Sequence, residues 1–169
     1  MTAVGQVKCA VAAAIKTAGC AAIESYSGEQ LKRYATAVAA VGTQETVIEE
    51  SGAAQYLGEK VDEATQETVS VYGRKMLLTL LIKVYAPRTL GAAGCEKAAE
   101  AVTQALMTAL PEGLKLGSLQ WGKTGWDKTT GMFRLDASAK YAAYFVAEAA
   151  EDETVFTDFV LKGTVKERE

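Results

Sequence analysis

The chain has 169 residues, 49% of them hydrophobic, enough for one well-buried core and too short for two ordinary domains. Its 18 basic and 21 acidic side chains give a formal charge of -3, and no basic run is long enough to track a phosphate backbone, which argues against sequence-reading DNA or RNA binding. Histidine is absent, which removes the commonest general base and metal ligand; Cys9, Cys20 and Cys95, with no C-x-x-C spacing, suggest neither a zinc site nor a disulfide framework and fit a reducing cytoplasm.

The first helix is expected to begin with Thr2 as its cap and to end near Gly19, a residue suited to the left-handed turn after a helix. Val4, Val7, Val11, Ala14, Ile15 and Ala18 fall within an arc of roughly 100° at helical pitch, the pattern of a helix packing on a core. The apolar run Cys9 to Ile15 followed by TAGC also has a faint look of a lipoprotein signal, but Lys16 interrupts it where such a signal needs continuity. Met76 to Ile82, the next longest apolar run, is far too short to span a bilayer, so no membrane partner is expected.

Ala21 to Ser51 changes character. IESYS, YATAVAAV and TQETVIEE are short, alternating or β-branched, and Gly28 and Gly42 read as breaks, so strands or a hairpin are expected. Gly52 to Thr68 is polar and acidic, readable as a short helix around Ala53 to Thr65 or as a mobile insertion. Val69 to Tyr85 ends in MLLTLLIKVY, a nearly continuous apolar run closed by Pro87, and reads as a central strand buried on both faces. Cys95, Ala98, Ala99, Val102, Ala105, Leu106, Ala109 and Leu110 then recur at three- and four-residue spacing, a second helix stopped by Pro111 and Gly113.

Residues 117 to 124, GSLQWGKT, satisfy the phosphate-cradling pattern G-x-x-x-x-G-K-[ST] through Gly117, Gly122, Lys123 and Thr124. Such a loop works only between a buried strand and a helix that starts at the lysine, because the helix N-terminal amides supply much of the anion binding. Here the lead-in is only LKL, and the follow-on GWDKTTGMF is punctuated by Gly125 and Gly131 before the next regular element, a strand. Leu114 to Trp121 therefore reads as a strand and Gly122 to Gly131 as its connection onward, with Lys123 and Lys128 solvated. Trp121 and Trp126 either cap the core or anchor a protein contact, so Trp121, Lys123, Trp126 and Lys128 are the candidate interface residues.

Met132 to Glu148 is the clearest strand. Phe133, Leu135, Ala137, Ala139, Tyr141, Ala143, Phe145 and Ala147 alternate with Arg134, Asp136, Ser138 and Lys140. A turn at 151 to 154 leads into Val155 to Val165, expected to pair with it as an antiparallel hairpin, and 166 to 169 read as a solvated tail. The whole is an α+β single domain over 1–169, an antiparallel or mixed β-sheet with two helices packed on one face.

Catalytic chemistry finds little support. Glu49-Glu50, Asp62-Glu63 and Glu151-Asp152-Glu153 are paired acids without an implied apolar pocket, and charge runs are usually solvated. A Ser or Cys nucleophile would need a lysine as base, and Cys9 and Cys95 lie on alanine- and valine-rich helix faces where an inert thiol is the default. No catalytic residue, metal ligand or cofactor is assigned.

The element order, with MLLTLLIKVYAP, a small-residue helix and then TGMFRLDASAKYAAYFVAEA, resembles the tail-terminator or tail-completion proteins of long-tailed bacteriophages and prophages. The likeness covers Val69 to Val165 well and the first helix loosely, and it is one of layout rather than of a sharp motif. It implies a structural protein that assembles as a ring, commonly a hexamer, on the end of the tail tube, stops its polymerisation and presents a surface to the head connector. Its partners would be itself, the tube and the connector, with DNA as passing cargo, in the bacterial cytoplasm during assembly and then in the virion tail. A modestly acidic chain suits a conduit of this kind. The competing expectation is a non-enzymatic α+β module that binds a protein or a small ligand without forming a ring.

Overall fold

A computed structural model describes residues 3–24, 27–50, 55–61, 66 and 68–148. The alanine-rich first segment forms helix α1 over Ala3–Thr17, and Gly19 at φ 80° makes the left-handed turn after it. Ala21–Ile23 is a short strand, β1, and Gly28–Leu31 a single helical turn, α2, capped by the Ser27 hydroxyl, which accepts from the Gln30 N–H at 3.2 Å. Three long elements follow in order: β2 (Val38–Glu50), β3 (Tyr56–Val61) and β4 (Thr68–Ala86) are strands. Helix α3 spans Gly91–Thr108, and β5 (Lys115–Trp121), β6 (Gly125–Asp127) and β7 (Met132–Glu148) complete the chain as described.

The sheet is mixed, with order β1-β2-β4-β7-β5, β3 continuing beside β4 and β6 beside β7. Among the described residues only β1 against β2 is parallel, and the other pairings are antiparallel. The register puts Met76, Leu78, Leu80, Ile82 and Val84 of β4 directly beside Ala143, Tyr141, Ala139, Ala137 and Leu135 of β7 on a single face. Those residues join Val7, Val11 and Ile15 of α1 and Cys95, Val102 and Leu106 of α3 in the main core. Met76, Leu80 and Ile82 on β4 oppose alanines on β7, and the alanine-rich helices come close enough to fill the space between.

The α+β expectation with two helices over one face is met, and a third, short helix adds a second small core. Leu31 of α2 packs with Val38, Ala40, Tyr85 and Met132 on the opposite face. Several expectations need correction. Gly42 does not break β2; its backbone runs straight through beside Leu81, and the ladder pairs on either side hold it extended despite the weaker strand preference of glycine. The polar stretch read as a helix or mobile insertion contains strand β3, because β4 supplies the backbone partners that its side chains cannot replace. Central strand β4 is not buried on both faces. Its helix side is buried from Met76 onward, but Leu77 and Leu81 on the other side are only half-buried, since α2 covers that face only near Tyr85. The second helix starts at Gly91 rather than Cys95 and ends at Thr108. The hairpin expected between Met132–Glu148 and 155–165 lies outside the described residues, as do Thr2, 62–65 and the tail.

β2 and β3 lie end to end along the same side of β4, the pairing passing from Glu50–Arg74 to Tyr56–Tyr72. The two segments are one arm of a long hairpin. A 19-residue strand such as β4 extends about 63 Å at about 3.3 Å per residue, whereas the 18 residues of α3 extend about 27 Å at 1.5 Å each. The helices therefore cover only the half of the sheet that ends at Ala86. From Thr43 to Glu50 every residue of β2 is exposed, and Val47, Ile48, Tyr56 and Val61 are among the largest exposed apolar side chains.

Leu80→Ala should cost about 2–5 kcal/mol, because it opens a cavity at the centre of the main core. Tyr141→Phe should be neutral or stabilising, because the hydroxyl it removes is buried without a partner among the described residues. Urea unfolding followed by circular dichroism gives both; a destabilised Tyr141→Phe protein would show that the hydroxyl is in fact hydrogen-bonded.

Candidate interface at the two sheet edges

The GSLQWGKT stretch runs along β5 into the connection before β6, and the next regular element is a strand. The Gly122 N–H donates to the Asp136 carbonyl at 2.8 Å, holding the backbone as an extension of the sheet. Lys123 is exposed, and the Thr124 hydroxyl reaches Glu96 of α3 at 3.4 Å. No helix starts at Lys123, so the row of amides that cradles a phosphate is missing from this stretch.

The four candidate residues occupy two environments. Trp121 lies on the helix side of β5, half-buried against the main core, and its indole N–H donates to the Thr103 hydroxyl of α3 at 2.9 Å. It forms one wall of an open groove of about 430 Å3 whose other walls include Ala99, Thr103 and Met107. Met107 is 74% exposed, so the groove is apolar and wet. Trp126 is 45% exposed and meets Phe133 edge to face, ring centres 5.1 Å apart at 76°. The two tryptophans thus have separate neighbours, one a core cap with an exposed flank and the other a surface ring.

Lys128 is exposed in the β6–β7 turn, which acid chemistry makes rigid. Asp127 accepts from the Thr129 N–H through Oδ1 and from the Thr130 hydroxyl through Oδ2, both at 3.0 Å, and Arg134 lies 3.9 Å from that same Oδ2. Burial opposes ionisation of Asp127, but those hydrogen bonds and the Arg134 cation outweigh it and hold the carboxyl below its usual range. Arg134 Nε also sits 3.0 Å from Asp136 Oδ1, an ion pair without an aligned hydrogen bond. Gly131 at φ 68° closes the turn, its N–H donating to the Asp127 carbonyl. This is structural work; it presents Lys128 at a fixed place.

Other reactive groups are quiet. Cys95 is fully buried, its thiol donating to the Val84 carbonyl at 3.3 Å, and burial first, then Glu96 and Asp136, push it up to about 11. At neutral pH it is a thiol, not a thiolate. Burial also raises Cys20 and Tyr141. Among the described residues no group of three or more acid or cysteine side chains could hold a metal, and no helix is long and apolar enough to cross a membrane.

The arm of β2 is a surface with no sequence motif of its own. Glu45, Val47 and Glu49 face the side away from the helices and Thr46, Ile48 and Glu50 the helix side, a phase set by the bulge at Gln44 between the Thr43–Leu80 and Glu45–Thr79 pairs. TQETVIEE carries its signal in having no apolar face, the mark of a strand with neither face covered. No family model and no curated protein matches this chain.

Trp121→Ala should lower stability by about 2–4 kcal/mol, through lost packing on the core and the loss of the hydrogen bond that Thr103 accepts, whereas Trp126→Ala should cost about 1 kcal/mol or less. In the single-tryptophan proteins Trp126 fluorescence should be quenched readily by acrylamide and Trp121 poorly. Equal quenching of the two would contradict the packing described.

Proposed function

We propose that the chain is a structural assembly protein of the tail-terminator type, one that closes into a ring on the end of a phage tail tube, halts its growth and offers a surface to the head connector. The observation that carries this reading is the sheet that outruns its helices. Val47, Ile48, Tyr56 and Val61 stand exposed on an arm that no other described element covers. An uncovered arm with apolar side chains is a poor surface for a solitary monomer and an ordinary one for a subunit of an assembly. A ring needs a heterologous contact, in which two different patches meet head to tail until the rotation closes, and an open sheet has two different edges to offer. DNA would pass through such a ring as cargo, and the subunit number would be six by the resemblance.

The groove beside Trp121 favours a second reading, a non-enzymatic module that takes one apolar group of a protein or small ligand without ring formation. Gel filtration with light scattering, followed by negative-stain electron microscopy with and without tail tubes, separates the two. A concentration-dependent ring with a central channel, or a cap seen on tube ends, is expected. A strict monomer at the highest soluble concentration that leaves tubes uncapped would defeat the ring reading.

A further inference from the structure

Two helices do not cover the width of this sheet. α1 lies over β1 and β2, and α3 over β4 and β7. At about 4.8 Å per strand and about 10 Å per helix that accounts for four strands, so β5, at the edge, keeps its helix side open. Leu116, Leu119 and Trp121 on that side are only half-buried. The groove of about 430 Å3 lies between Trp121 and the flank of α3, and Met107 on its wall is the most exposed large apolar side chain among the described residues.

The groove has a direction. The Cys95 thiol reaches the Val84 and Phe133 carbonyls, whereas Thr103, two turns later, meets Trp121, which is level with Ala137. α3 therefore runs toward the Glu148 end of β7. Followed from that end, its flank presents Met107, then Thr103 with Trp121, then Glu100 and Glu96, both exposed.

Residues 149–169 follow Glu148 and lie outside the described residues. β5 holds one side of β7 up to Ala142 and β4 holds the other, so a chain turning back beside β7 has only 143–148 to pair with. Leu116 and Trp121 are level with Tyr141 and Ala137, which stand about 23 and about 36 Å back from Glu148 along β7. Even fully extended, at about 3.3–3.6 Å per residue, a returning chain first attains those levels at Val155 and Phe159. Glu151-Asp152-Glu153 fall short of the groove, and Val155, Phe156, Phe159, Val160 and Leu161 are the first apolar residues long enough in reach to fill it. The next charges are Lys162 and Lys166, before the mixed Glu167-Arg168-Glu169, so apolar then basic meets apolar then acidic in the same order.

We propose that residues 155–161 lie in the groove between α3 and β5 of their own chain, with Lys162 and Lys166 carried on toward Glu100 and Glu96. The open position over β5 is then filled in cis, and the groove is closed to an outside ligand. This goes beyond the ring reading and does not depend on it.

Cysteine pairs test the placement. Met107→Cys/Phe159→Cys in a Cys9→Ser background, oxidised in dilute solution, should form a disulfide within one chain. Val146→Cys/Phe159→Cys, a pair that a plain hairpin on β7 with its turn at 151–154 would bring together, should form one about tenfold more slowly or not at all, because effective concentration sets the rate of an intramolecular step. A disulfide that forms faster at Val146 than at Met107, or that joins Met107 and Phe159 only between two chains, would overturn the proposal. If a cysteine variant fails to fold, the Trp126→Phe protein, in which Trp121 is the remaining tryptophan, gives a second measurement. There Phe156→Ala/Phe159→Ala/Leu161→Ala should raise acrylamide quenching of Trp121 toward that of Trp126, with circular dichroism unchanged; quenching that does not move would refute the docking. Neither measurement bears on whether rings form.

Discussion

Strand rise exceeds helix rise by about twofold per residue, and much of this fold follows from that ratio. The main core forms where α1 and α3 can reach, from Met76 to Ala86 on β4 and from Leu135 to Ala143 on β7. Beyond that reach the strands continue chiefly on backbone hydrogen bonds, with β4 pairing β2, β3 and β7 and the Tyr56 ring meeting Tyr72 edge to face. A sheet can persist there because every ladder bond is local to its two strands, but burial stabilises it little. The covered half and the uncovered half are thus one sheet with two physical characters: the first holds the fold together, and the second is available for contact.

The division also explains where charge and bulges fall. Bulges interrupt the ladder at Gln44 in β2, at Leu57 in β3 and at Gly117 in β5, all on strands away from the centre. The β4–β7 register, by contrast, runs unbroken from Val71–Glu148 to Ala86–Phe133. A central pair locked by large-to-small packing cannot slip without turning its apolar residues to the wrong face. Edge strands have no such lock, and here they carry the glutamates and lysines. Gly58, at φ 141° beside the β3 bulge, has open space around the position of a side chain, so backbone conformation rather than crowding asks for glycine there.

Legibility in the sequence tracked burial. The period-two run Met132–Glu148 and the small-residue faces of both long helices were readable because a core on one side imposes a repeat. Misreadings fell where tertiary pairing replaced local signal. YLGEKV has no apolar alternation, and only the presence of β4 makes it a strand. MLLTLLIKVY reads as doubly buried, yet Leu77 and Leu81 stay half-exposed because α2 is only four residues long and covers one end. As for the interface, Trp121 and Trp126 drew notice as large aromatics, while TQETVIEE looked like bland surface. Its significance depends on which strand is last in the sheet, and that order is invisible in one sequence.

Amide hydrogen exchange read as a function of protein concentration tests most directly whether the uncovered half of the sheet is a contact surface. Amides of 76–86 and 132–143 should exchange slowly at every concentration. Those on the outward side of Thr43–Glu50 should exchange fast in dilute solution and become protected as concentration rises. Protection there that is already complete in the monomer, or that never develops while the protein assembles, would contradict the account.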